Sequence, residues 1–181
     1  MRVGVRNLRR GPPVRTEDSQ SFTEFVSAEQ AGLLRLAILL AGDRGHAEDL
    51  VQIALMKSYR HWARISRSGT PSAYVRRVLV TSHTSWRRRL STTEQVMETL
   101  PERAGPLGIP DAEDEELRRA LRALPPRMRT ALVLRFYEDL SEQRTADLMG
   151  CSASTVNTQT TRGLTRLRDA LSARDRVREE Q

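Results

Sequence analysis

The chain has 181 residues, 38% of them hydrophobic, which admits one or two domains with modest cores. Its net charge of +7 is carried almost wholly by arginine, with Lys57 the only lysine, and the guanidinium fork suits phosphate. Aromatics at 4% argue against a carbohydrate or haem pocket, and the single Cys151 excludes an intrachain disulfide and points to a reducing cytoplasm. The longest apolar run, Leu33 to Ala41, contains Arg35 and is too short to cross a membrane, so no membrane insertion is expected.

Residues 1–20 hold five arginines and a Pro-Pro pair in their first 19 positions, with no apolar period and no apolar stretch of a secretory signal. They read as a disordered basic arm. From Ser21 to Leu40, Phe22, Phe25, Val26, Leu33, Leu34, Ala37 and Ile38 follow three- and four-residue steps, predicting a helix ended by Gly42-Asp43-Arg44-Gly45. A second helix is expected from about His46 to Ile65, with Leu50, Ala54, Ser58 and Trp62 on one row and Val51, Leu55 and Tyr59 beside it. Its opposite face mixes Asp49 and Gln52 with Ile53 and Met56. Two hydrophobes among polar groups suit a protein-docking face, and packing on a neighbouring helix explains them nearly as well.

Charge then changes sign. Glu17 to Gln52 holds seven acids against two arginines, whereas Arg60 to Leu90 holds eight arginines and no acid. Thr70-Pro71 is a helix start, threonine as cap and proline at the first helical position. The helix from Pro71 to about Arg89 is expected to bury Tyr74, Val75, Val78, Leu79 and Ser82. It is expected to expose Arg76, Arg77, Val80, Thr81, His83, Thr84 and Arg87. Trp86 and Arg88 lie at its basic end, where cations, hydroxyls and an aromatic ring match the needs of a single-strand binder. Trp86 also suits a place at the edge of the core.

Residues 91–112 contain Pro101, Gly105, Pro106, Gly108 and Pro110 and read as a flexible linker. Beyond it the acids Glu113 to Glu116 open a helix with the apolar row Leu117, Leu121 and Leu124. Pro125-Pro126 stops it and starts another, with Leu132, Val133, Phe136 and Leu140 expected inward. Two short helices follow. Ser141 is the expected N-cap of the first, Ala146, Leu148 and Met149 its apolar stripe, and Gly150 its left-handed end. Ser152 or Ser154 caps the second, whose Val156, Leu164 and Leu167 share a face. Thr155, Asn157, Thr158, Gln159 and Arg162 fall on the other side, with Arg166 a turn further. A helix entering the major groove N-terminus first would bring Thr, Asn and Gln to base edges and the arginines to phosphates. An ordinary helical hairpin is the alternative, although a solvated face would favour Glu, Lys and Gln over this run of Thr and Ser. The tail after Ala173 is expected to fray. The fold class is therefore all-α, with two small helical domains at 21–90 and 113–173.

Four stretches in this order, HAEDLVQIALMKSYRHW, AYVRRVLVTSHTSWRRR, LPPRMRTALVLRFYEDLS and STVNTQTTRGLTRLR, resemble the extracytoplasmic-function (ECF) sigma factors of bacterial RNA polymerase, closest to the actinobacterial sigma-E-like group. The resemblance covers about residues 21 to 172. It implies that the first domain, sigma region two, docks on core RNA polymerase through Asp49, Leu50, Val51, Gln52, Ile53 and Met56. It implies that Arg76, Arg77, Val80, Thr81, Thr84, Trp86, Arg87 and Arg88 capture the unwound strand of the minus-ten element. The second domain, sigma region four, would read minus-35 duplex with Ser154, Thr155, Asn157, Thr158, Gln159, Arg162 and Arg166. Thr81 stands where family members often carry asparagine, and Asn157 where lysine is common. Expected partners are core polymerase, promoter DNA in duplex and single-stranded form, and an anti-sigma factor. No cofactor or metal is expected, because His46, His61, His83 and Cys151 show no ligand or triad spacing, and no catalysis is expected.

Overall fold

The computed structural model describes residues 16–93 and 112–179, with side chains described over 16–89 and 115–172. Helix α1, Thr16–Ala41, packs antiparallel on α2, Arg44–Tyr59. Gly42 turns the chain between them with φ +88, and the Asp43 carboxylate caps α2 by accepting from the His46 amide at 2.8 Å. A short turn, α3 (Trp62–Ile65), leads into α4, Pro71–Thr93. Leu33, Leu36, Leu40, Leu50, Val75 and Leu79 interlock as the first core, each fully or almost fully buried. Burying such a side chain is worth about 1.5–3 kcal/mol, so these rows hold the bundle. At its open end, Phe22 and Phe25 of α1 close around Trp62, with ring centroids at 5.0 and 4.9 Å, and the indole N–H donates to Ser21 Oγ.

The second group comprises α5 (Ala112–Arg122), α6 (Pro126–Leu132), a π-helical turn (Val133–Tyr137), α7 (Glu142–Met149) and α8 (Ala153–Glu179). Leu121, Leu124, Met128 and Leu132 form its core, against which Leu164 and Leu167 of α8 pack. Gly163 lets α8 approach α6: a Cβ there would stand 3.1 Å from Leu132. Among the described residues the structure is all helical, in two domains.

The two groups are not separate in space. Val133 and Leu134 of the π-helical turn enter the core of the first domain, and Leu39 of α1 packs into that of the second. Arg129 of α6 is almost completely buried, donating to the Leu40 and Ala41 carbonyls at the end of α1 and to the Arg122 carbonyl of its own domain. A cation there also meets the negative end of the α1 macrodipole.

Several expectations change. Residues 16–20, assigned to a disordered arm, belong to α1; the rest of that arm, and linker residues 94–111, lie outside the described residues. The helix expected over His46–Ile65 breaks at Arg60–His61, where the chain turns so that Trp62 can reach the aromatic cluster. Phe136 is 61% exposed and Leu117 40%, both expected inward, because the π-helical turn rotates Phe136 outward and Leu117 stands at the rim of a small core. Helix α8 runs on to Glu179 past the expected fray at Ala173.

Candidate nucleic-acid interface

Helix α2 presents Asp49, Gln52, Ile53 and Met56 to solvent, the last two 41% and 65% exposed. Leu50 and Val51, which the resemblance adds to this surface, are buried instead. One and two positions on from Asp49, they rotate into the core and set where the outer face stands. The packing alternative for Ile53 and Met56 is therefore not what the structure adopts.

Helix α4 departs most from expectation. Val75, Leu79 and Ser82 are buried as expected, with Ser82 Oγ accepting from Lys57 Nζ at 3.0 Å. Val80 and His83, expected on the open face, are 2% and 1% exposed. An isolated amphipathic helix would leave that face to water; here the second domain lies over it. His83 Nε2 is 3.3 Å from the Thr130 hydroxyl of α6, and Arg76 donates to the Glu138 carboxylate at 2.6 Å. The Arg88 guanidinium rests on Gly150, where an added Cβ would meet it at 2.8 Å. A cleft of about 250 Å³ between the domains is lined by His83, Thr84, Arg87 and Arg88 of α4 and by Arg127, Thr130 and Met149 opposite. Arg77, Thr81 and Thr84 line a second cleft, facing Arg144, Asp147 and Leu148.

The Thr81 and Thr84 hydroxyls of α4 are turned back on their own helix: Thr81 donates to the Arg77 and Val78 carbonyls, and Thr84 to that of Thr81. Trp86 stacks on His46, centroids 3.8 Å apart, with Arg87 Cζ 5.8 Å from the indole. Burial, reinforced by the neighbouring His46, Arg87 and Arg129, pushes His83 down to about 3. Burial also lowers His46, partly offset by Asp43 and Asp49, with Arg87 acting with it.

The α7–α8 pair follows its expected local chemistry. Ser141 caps α7 by accepting from the Arg144 amide, Gly150 ends it in the left-handed region at φ +63, and Ser152 Oγ accepts from the Thr155 amide. Val156 is fully buried. Ser154, Asn157, Thr158, Arg162 and Arg166 are exposed on one side, and Thr155 and Gln159 are half-buried at its margin. Thr161 and Thr165, which the sequence reading passed over, extend that face; Thr161 donates to the Asn157 side-chain oxygen at 3.2 Å. Glu138 and Arg129 were missed as well, since only their tertiary partners give them meaning. No cluster of three or more His, Cys, Asp or Glu stands in position for a metal among the described residues. No helix among them is long and apolar enough to cross a membrane.

Comparison with known proteins identifies the two helical groups. Residues 25–93 match the Sigma-70 region 2 family and residues 114–167 the Sigma-70, region 4 family. The RNA polymerase sigma-E factor of Streptomyces coelicolor is 38% identical over 159 residues, covering 85% of this chain and 88% of that protein. That of Streptomyces avermitilis is 36% identical over 159 residues, covering 85% and 87%. Among solved structures, the sigma factor RpoE of Bartonella quintana, co-crystallised with the anti-sigma factor NepR, superposes with a TM-score of 0.57 at 23% identity. The match covers 84% of this chain and 98% of that one and shows the shared fold. With both regions present in order over most of its length, the chain belongs to the extracytoplasmic-function sigma factors of RNA polymerase.

Proposed function

We propose that this sigma factor divides promoter recognition between two helices while a third face holds the enzyme. It binds core RNA polymerase and directs initiation at promoters; within that role, Asp49, Gln52, Ile53 and Met56 of α2 form the docking face. Arg76, Arg77, Thr81, Thr84, Arg87 and Arg88 of α4 hold the separated minus-ten strand, and α8 reads the minus-35 duplex. Unstacking and extruding bases costs a few kcal/mol, which the row of arginines offsets through phosphate contacts. On α8, Gln159 and Thr158 meet base edges, and Arg162 and Arg166 meet phosphates. The chain performs no catalysis of its own in this reading, the chemistry being the polymerase's. An anti-sigma factor is a further partner of the same surfaces.

One observation carries the reading: the N-terminal half of α8 offers short uncharged polar side chains to solvent, then arginines in the following turns. A stand-alone duplex-binding regulator explains α8 but gives the exposed Ile53 and Met56 no purpose. The two separate on Asp49→Arg, which leaves an exposed position folded and reverses its charge. Co-purification with core polymerase should drop at least about tenfold, as expected for a charge placed against its complement. Unchanged co-purification would remove α2 from the docking face.

A further inference from the structure

Threonines on the open face of α8 do not spend their hydroxyls alike. Thr158 donates to the Ser154 carbonyl at 2.9 Å and Thr165 to the Thr161 carbonyl at 3.1 Å, each bonding the preceding turn of its own backbone. That is the ordinary resting place of a helical threonine. Thr161 stands between them and departs from it: its Oγ1 donates to Asn157 Oδ1 at 3.2 Å, a side chain one turn nearer the N-terminus. Both residues are exposed, so the consequence of the bond falls on what Asn157 presents to a ligand. Asn157 is the exposed amide of this face, Gln159 being half-buried at its margin.

A primary amide reads with two ends, an oxygen that accepts and a nitrogen that donates. With both ends free, asparagine takes adenine bidentately, accepting from N6 and donating to N7. Guanine shows two acceptors, N7 and O6, along the same edge, which asks for donors alone. With Asn157 Oδ1 drawn onto the Thr161 hydroxyl, a bidentate pose on adenine has to compete with that bond, whereas a donor-only contact keeps it. The neighbours do not restore the missing acceptor-and-donor pair. The Thr158 proton is already spent on Ser154, and Arg162 carries donors only.

From these observations, and resting on the reading of α8 as the duplex-reading helix, we infer that Thr161 is a positioning residue for sequence readout. By engaging Asn157 Oδ1 it turns Asn157 into a hydrogen-bond donor, and so sets guanine above adenine at the base pair that Asn157 meets. Thr161 acts through Asn157 and selects the base without touching it. Loss of the hydroxyl releases the amide oxygen, and the same asparagine then accepts the adenine edge.

The test reads base preference rather than affinity alone. Holoenzyme assembled from core polymerase and the full chain is mixed with a duplex library randomised across the minus-35 element of a promoter from which it initiates, and the bound duplexes are sequenced. The parent is expected to enrich guanine over adenine at one position, and Asn157→Ala to lose that preference there alone. Thr161→Val keeps the branched shape and removes the hydroxyl, so the guanine-to-adenine ratio at that position should fall about fivefold or more, the lower end of what one bidentate pair discriminates. Thr161→Ser keeps the hydroxyl and should hold the parent's ratio. Adding Thr161→Val to Asn157→Ala should change nothing further, since a positioning residue has no effect without the side chain it positions. Both positions are exposed, so these variants keep the fold. A ratio unmoved by Thr161→Val, fallen as far in Thr161→Ser, or moved equally when Asn157 is already alanine would overturn the inference. Arg162→Ala in the same library tests the underlying reading: weaker retention of every duplex supports it, and retention equal to the parent's would remove α8 from the duplex. An unmoved ratio in Thr161→Val beside weakened Arg162→Ala therefore sinks the positioning role alone.

Discussion

Helices α4 and α8 are both long, basic and rich in threonine, yet the fold treats them in opposite ways. Helix α8 packs on α5, α6 and α7 and, among its described residues, leaves one polar side to solvent, while α4 is covered on two sides, by α1 and α2 and by the second domain. Sequence pattern places both beside DNA. Only tertiary packing shows that α8 keeps a polar face open while α4 is largely covered, so charge and hydroxyl content alone do not tell how exposed a helix is.

The largest expected difference between the two is acid sensitivity. Only α4 carries a buried histidine at its seam, with His83 lowered from its ordinary 6.5 to about 3 by burial, with His46, Arg87 and Arg129 adding repulsion. Protonation favours states in which His83 meets water, so stability is intact above pH 6.5 and declines as pH falls toward 3. The decline amounts to a few kcal/mol, on the order of 1.4 per pKa unit with relaxation reducing the total. Urea midpoints across this range should fall more steeply for the parent than for His83→Gln, whose slope keeps the contribution of the lowered His46. Equal slopes would remove the histidine from the seam.

A steric change breaks α8 and spares α4. In Gly163→Leu the new side chain meets Leu132 and Met128, with Cβ contacts of 3.1 and 3.4 Å. Overpacking should cost about 1–3 kcal/mol, seen as a lowered Tm and lost duplex binding. Duplex binding and Tm equal to the parent's would show that α8 does not need its close approach to α6.

The smallest effects separate the two kinds of contact on α8. Gln159→Ala should change preference at one minus-35 position by about 1–3 kcal/mol. Arg162→Ala should instead weaken every duplex and lower the salt slope by about 1. If both variants weaken all sequences alike, Gln159 is not a base reader.

Much of this architecture is legible from local pattern. The caps at Ser141 and Ser152, the left-handed Gly150, the core row of Leu50, Ala54 and Ser58, and the polar face of α8 follow from rules that act within a few residues. What the pattern misses depends on partners distant in the chain. Arg129 carries no local signal of its hydrogen bonds to the end of α1, and Val80 and His83 read as exposed although tertiary packing buries both. Phe136 reads as buried because a 3.6-residue period was carried through a segment that forms a π-helical turn.

The division of labour is tested most directly by run-off transcription with core polymerase and the chain on a library of genomic promoters, mapping every start. The account predicts starts that share an upstream and a downstream element. Gln159→Ala should shift preference only in the upstream one, and Arg77→Ala should weaken capture of the downstream strand. Absence of initiation from every template, or a single element altered alike by both substitutions, would contradict it.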